Sequence, residues 1–240
     1  MTSVKSIRRL QADLKEYYKC PIEGTAIYYD EQCITRIFVA IAGPKDSVYE
    51  NGVFFFRFDF PDSYPNEPPV GKFLNWQNTN DRMHPNLYKC GKMCFSFLGT
   101  WSGPSWTSVM GLSTIILNLQ TVLDENPLKN EPGYDKGVLT TEHMTYQRII
   151  QYLNMRDFIM KTMKLCKSSD IIQNHEYLCN FKPFLAEHFT KNIKSIQSKF
   201  SVLLDNNPNT QRLHINYQSM TVTVDYPSLT IELDMLSKQF

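Results

Sequence analysis

No uninterrupted apolar run in the 240 residues approaches the roughly 18 to 20 that a bilayer crossing requires, so a membrane-spanning helix is not expected. Runs of lysine or arginine are missing too, and 25 basic residues against 24 acidic ones leave a formal charge of +1. Neutralising a phosphate backbone takes a concentrated basic face, so nucleic acid is not expected as a partner. The chain has neither a phosphate-cradling glycine loop nor a Walker-type lysine, and hence no visible nucleotide site. Its six cysteines, Cys20, Cys33, Cys90, Cys94, Cys166 and Cys179, are too scattered for a disulfide scaffold and read as free thiols. Low-complexity linkers and internal repeats are absent. The opening residues carry a polar helical pattern and not an apolar secretion signal, from which a cytoplasmic or nuclear address is expected.

What remains is a chain long enough for one large core, or for one domain of about 150 residues with an extension. Ile7, Leu10, Leu14 and Tyr17 recur at helical spacing within residues 4–18, with Arg8, Arg9, Asp13 and Lys15 assigned to the polar side. Cys20-Pro21 stops this helix. Strand-like runs follow at 24–30, 34–42, 52–60 and 70–74, punctuated by Gly43-Pro44 and Asn51-Gly52 turns, which suits an antiparallel meander. In the third run Phe54, Phe56, Phe58 and Phe60 alternate with Phe55, Arg57 and Asp59, the period of a half-buried strand with one core face. Periodicity then vanishes over 75–107, where a loop is expected. Ser108 is the expected N-cap of a buried central helix carrying Leu112, Ile115, Ile116, Leu119, Val122 and Leu123, and a further helix is expected near 142–165. The order is that of an α+β fold: N-terminal helix, four-stranded antiparallel meander, site loop, central helix and C-terminal helices. Beyond residue 165 lies an extension, 166–240, with a helical stripe from Leu185 to Leu203 and short β segments near 213–217, 221–226 and 229–233. With no flexible linker before it, the extension is expected to pack on the 1–165 domain; the alternative is an exposed association surface.

The stretch HPNLYKCGKMC, from His84 to Cys94, sets an amide and a thiol eight positions apart, at Asn86 and Cys94. A thiolate is the strongest nucleophile available near neutral pH, and an Asn amide can donate to an oxygen bearing developing charge, so the pair suits acyl transfer. His84, Cys90 and Cys94 could instead supply three zinc ligands, but no fourth ligand pattern follows nearby, and no metal is expected.

HPN followed at eight positions by Cys resembles the active-site signature of ubiquitin-conjugating enzymes. So does GPKDSVYENGVFFFRFDFPDSYPNEPP, residues 43–69, with its Gly-Pro turn, Gly-led strand and YPxxPP loop. The resemblance implies the same α+β fold over residues 1–165 and a thioester on Cys94. Ubiquitin or a ubiquitin-like protein would arrive there from an activating enzyme and pass on to a substrate lysine or a ligase. ATP would be used upstream, so no cofactor is expected on this chain. Asn86 would stabilise the oxyanion or brace the loop, with His84 and Pro85 structural and Trp106 packing beside the site loop. Relatives commonly place an acid before a Pro after the central helix. Here Asp124-Glu125-Asn126-Pro127 puts Asn126 where many carry Asp, which leaves the lysine-orienting residue open among Asp124, Glu125 and Asn126. Lys5, Arg8 and Arg9 would face the activating enzyme, and the 61–69 loop with 107–109 would face a ligase, although Asn66 replaces the usual apolar anchor. GTWSGPSW (99–106) and NEPGY (130–134) resemble the larger, atypical members; within them Trp101 reads as core, with a partner contact as the alternative. The rival reading is a catalytically weak binding module of the same fold.

Overall fold

The computed structural model describes residues 4–77, 79–168 and 175–240. Helix α1 (Val4–Lys19) buries Leu10, Leu14 and Tyr17, as its spacing requires. Asp13 departs from the sequence reading, because it is buried and not on the solvent side. Its carboxylate accepts from Arg9 Nε at 2.9 Å and from the Tyr64 hydroxyl, partners that offset its desolvation.

Strands β1 (Thr25–Tyr29), β2 (Arg36–Ala42), β3 (Val53–Asp59) and β4 (Val70–Phe73) form one antiparallel sheet in sequence order. The register sets Ile37, Val39 and Ile41 opposite Phe58, Phe56 and Phe54, giving a continuous apolar inner face. Asn51 enters the β2–β3 turn at φ 64°. At Gly52 a Cβ would fall 1.9 Å from Asn154 Oδ1, so only glycine fits.

The half-buried reading of β3 holds at Arg57 and Asp59, which stay about 30% exposed, and fails at Phe55. Phe54 stacks on Phe158 on the inner side, and on the outer side Phe55 is covered by Phe181, with ring centroids 5.4 Å apart. Both faces of the sheet are therefore packed, the outer one by the extension. Phe38, also on the outer face, stacks on Tyr177 at 4.7 Å.

Helix α2 (Leu112–Val122) starts three residues later than expected, with Gly111 and not Ser108 as its N-cap. The carbonyls of Ser108 and Met110 instead accept from Arg9 Nη1 and Nη2, both at 2.7 Å, and this holds the preceding segment against α1. Helix α3 (Thr141–Leu153) widens into a π-helical segment (Asn154–Met160) before α4 (Lys161–Lys167). There the fully buried Asp157 pairs with Arg156 at 2.7 Å and Lys161 at 2.9 Å.

Helix α5 (Lys182–Asn206) buries Leu185, Phe189, Ile196 and Phe200, and β5 (Gln211–Ile215) pairs with β6 (Met220–Val224) as a hairpin. The segment read as a strand at 229–233 is instead part of α6 (Tyr226–Ser237). Asp225 caps it by accepting from the Ser228 amide at 3.1 Å, Pro227 occupies its first turn, and Leu229, Leu233 and Leu236 form its buried stripe. A short apolar run carries no periodicity strong enough to separate the two states. His188 Nε2 donates to the Asn51 carbonyl at 3.1 Å, and Lys199 meets Glu50 at 2.6 Å, tying α5 to the β2–β3 turn.

Candidate functional site

The eight-residue spacing is explained by a chain reversal. The Tyr88 amide donates to the Lys92 carbonyl at 2.9 Å, and the Gly91 amide to the Tyr88 carbonyl at 2.8 Å, with Gly91 at φ 91°. The returning strand brings Cys94 opposite Asn86. The Cys94 amide donates to the Asn86 carbonyl at 3.0 Å, and Asn86 Nδ2 donates to the Cys94 carbonyl at 2.6 Å. One amide hydrogen of Asn86 thus holds the loop, and the second remains for another acceptor. Cys94 is 3% exposed, at the edge of the core.

His84 is wholly buried, and its Nδ1 accepts from the Asn86 amide at 3.0 Å. Burial lowers its pKa to about 3, with the Val122 carbonyl opposing the shift. A neutral, enclosed ring whose Nδ1 is already engaged fits the structural role. Among the described residues no group of three His, Cys, Asp or Glu side chains is arranged to hold a metal ion. Cys90 is exposed, on the turn, while Cys94 is buried. The Pro85 carbonyl accepts from Arg82, whose guanidinium lies over the Tyr88 ring at 3.5 Å and whose own carbonyl accepts from the Tyr146 hydroxyl at 2.9 Å.

The loop after α2 adjoins this wall at Val122. Within it Asp124 is half-buried, and burial raises its pKa, opposed by the Asn126 amide that donates to it at 2.7 Å. The Asn126 side chain is committed at both ends: Nδ2 donates to Glu125 Oε1 at 2.7 Å, and Oδ1 accepts from Gln147 at 2.5 Å. Glu125 is exposed. Glu131, outside the Asp124–Asn126 trio, also precedes a proline, Pro132. Glu131 Oε2 accepts from the hydroxyl of Tyr217, in the extension, at 3.1 Å. No sequence signal pairs these two, since 86 residues separate them.

The outlying candidates fall elsewhere. Trp106 packs against Tyr64, with ring centroids 6.0 Å apart, and its indole N–H donates to the Pro65 carbonyl at 2.7 Å and so fastens the 64–65 turn. Trp101 is 46% exposed and not core, because the 99–104 segment leaves the packed surface. Lys5 and Arg8 are exposed, but Arg9 is spent internally on Asp13, Ser108 and Met110, which corrects its reading as a free docking cation. No described helix is long and apolar enough to cross a membrane.

The family model described as "Ubiquitin-conjugating enzyme" matches residues 9–151. The chain is 30% identical over 225 residues to ubiquitin-conjugating enzyme E2 Z of Xenopus tropicalis, covering 91% of this chain and 69% of that protein. To E2 Z of Danio rerio it is 36% identical over 154 residues (64% of this chain, 47% of the relative), and to that of Homo sapiens 34% over 163 (68% and 46%). The match thus spans about half the length of the latter two.

Proposed function

Because the chain belongs to the ubiquitin-conjugating enzyme family, we propose that it carries ubiquitin or a ubiquitin-like protein as a thioester on Cys94 and passes it to an amine or to a ligase. The observation that carries this reading is the reciprocal hydrogen bonding of Asn86 and Cys94, which fixes the Asn86 side chain on the backbone of the residue that bears the thiol. Loading is a thioester exchange. The Cys94 thiolate attacks the carbonyl carbon of the modifier's thioester on the activating enzyme, a new C–S bond forms, and the activating enzyme's thiolate leaves with the electron pair. In discharge a neutral lysine amine attacks the same carbon, the C–N bond forms, the Cys94 thiolate departs, and the surplus proton on nitrogen passes to solvent. In the tetrahedral intermediate, after the C–N bond has formed and before the C–S bond breaks, the former carbonyl oxygen carries negative charge, for which Asn86 has a second amide hydrogen to donate. No nucleotide or metal is required of this chain in either step.

The test is incubation with an activating enzyme, ATP and modifier. An adduct lost on reduction is expected in the wild type and in Cys90→Ala but not in Cys94→Ala. Charging of Cys94→Ala would overturn the assignment of the thiol. A folded wild type left uncharged by every activating enzyme and modifier tried would favour the binding-module reading.

A further inference from the structure

The Pro85–Asn86 peptide is held at both ends. Its carbonyl accepts from Arg82 Nη2, and its N–H donates to His84 Nδ1 at 3.0 Å. Asn86 therefore leaves a fixed peptide plane, with its own carbonyl engaged by the Cys94 amide and its Nδ2 by the Cys94 carbonyl. Arg82 is fixed in turn. Its guanidinium lies over the Tyr88 ring, 3.5 Å from the centroid, so one side chain grips the loop on both sides of Asn86. The Arg82 carbonyl accepts from the Tyr146 hydroxyl at 2.9 Å, and the Met83 carbonyl from the Tyr49 hydroxyl at 2.7 Å. Both phenols are wholly buried, which pushes their pKa values up and keeps them donors. As a brace alone this arginine is poor. Among the described residues it forms no ion pair, and its buried Nε–H meets no acceptor.

We propose that Arg82 is a positioning residue for the discharge step: by gripping Pro85 and Tyr88 it aims the Asn86 amide at the oxygen that gains charge. The inference rests on the thioester reading and adds to it the side chain that orients the donor. The grip needs a guanidinium, which is planar, lies flat on an aromatic face and still presents N–H groups at its edge to a carbonyl. An ammonium keeps the charge but does neither. Hydrogen bonds at both ends of one peptide also polarise and strengthen each other. A donor aimed beforehand stabilises the oxygen without reorganising during attack, and a displacement of about 1 Å at such a site can slow the reaction about 100-fold. Loading is expected to depend on Arg82 no more than on Asn86 itself.

The experiment uses the full chain, charged on Cys94 and freed of activating enzyme, with single-turnover discharge followed over a range of free lysine concentrations. Arg82→Met keeps most of the stem and removes both fork and charge. It is expected to lower the limiting rate about tenfold or more, with the half-saturating lysine concentration unchanged and charging nearly normal. Arg82→Lys restores the charge alone and should recover little of the rate. In an Asn86→Ala background the arginine change should add nothing, because it acts through that amide. Tyr88→Leu, which removes the ring under the guanidinium, should show the same split with a several-fold loss. A wild-type limiting rate in Arg82→Met, full recovery in Arg82→Lys, equal losses in charging and discharge, or additivity with Asn86→Ala would each overturn the proposal while leaving the thioester function standing. So would failure of both Arg82→Met and Tyr88→Leu to fold, which would make the grip a brace and nothing more. A wild type that does not charge overturns both readings.

Discussion

Replacing Asn86 by alanine removes two things at once, a hydrogen bond to the Cys94 carbonyl and a donor for the reaction oxygen. Losing one oxyanion donor costs about 100- to 1,000-fold in rate. Single-turnover lysine discharge from preloaded Asn86→Ala should fall on that scale with loading nearly normal, whereas a purely bracing role predicts equal losses in both and a lowered melting temperature. His84 gives a prediction in pH. Its pKa falls from the ordinary 6.5 to about 3 in the fold, so between these values the unfolded chain binds the extra proton and the folded one does not. The contribution is complete above pH 6.5 and is lost as the pH drops toward 3, with a slope of up to about 1.4 kcal/mol per pH unit. Denaturant midpoints measured from pH 7 to 4 should decline, and less so in His84→Gln. At this scale the sequence was legible where chemistry was local: a reversal of a few residues accounts for the spacing of Asn86 and Cys94. It was not legible for Asp13, because a polar residue at a polar helical position reads as solvated until a distant tyrosine is seen to meet it. The same holds for Glu131 and Tyr217, whose pairing depends on the folded extension.

Helices and strands differ in how far neighbours decide them. α1 and the sheet were readable because their periods persist over many residues, and their ends fell within a few residues of the expected ones. α2 began later than its cap signal because Arg9 takes the carbonyls of Ser108 and Met110, so a tertiary contact overrode a local preference. The run 229–233 reads as a strand although it lies within α6, because five residues of alternating character carry no decisive period and the buried stripe is clear only over the whole Tyr226–Ser237 span. The Arg9, Asp13 and Tyr64 cluster joins α1 to the turn before β4 and to the start of α2. Asp13→Ala should therefore loosen three elements together, with a loss of about 1.5 to 3 kcal/mol, the scale for hydrogen bonds to a charged group. The check is a lower denaturant midpoint at unchanged m-value, with Lys15→Ala, on the exposed side of the same helix, as a near-neutral control.

Taken whole, the molecule invites a truncation after Lys167, the end of α4. The shortened chain would uncover Phe38, Phe55 and Tyr146, now packed under Tyr177, Phe181 and Tyr217. Each large side chain re-exposed costs roughly 1.5 to 3 kcal/mol, so the product should aggregate or melt clearly lower, as light scattering and thermal unfolding would record. A soluble, monomeric truncation melting as the full chain does would mean that these contacts contribute little. The covered outer face of the sheet also acts as a lock on recognition. Any protein that reads Phe55 can do so only in the fraction of molecules whose tail has lifted, and its apparent affinity is reduced by that fraction. Every 1.4 kcal/mol or so holding the tail down weakens such a partner about tenfold, so the strength of an internal contact sets the concentration at which an outsider is admitted.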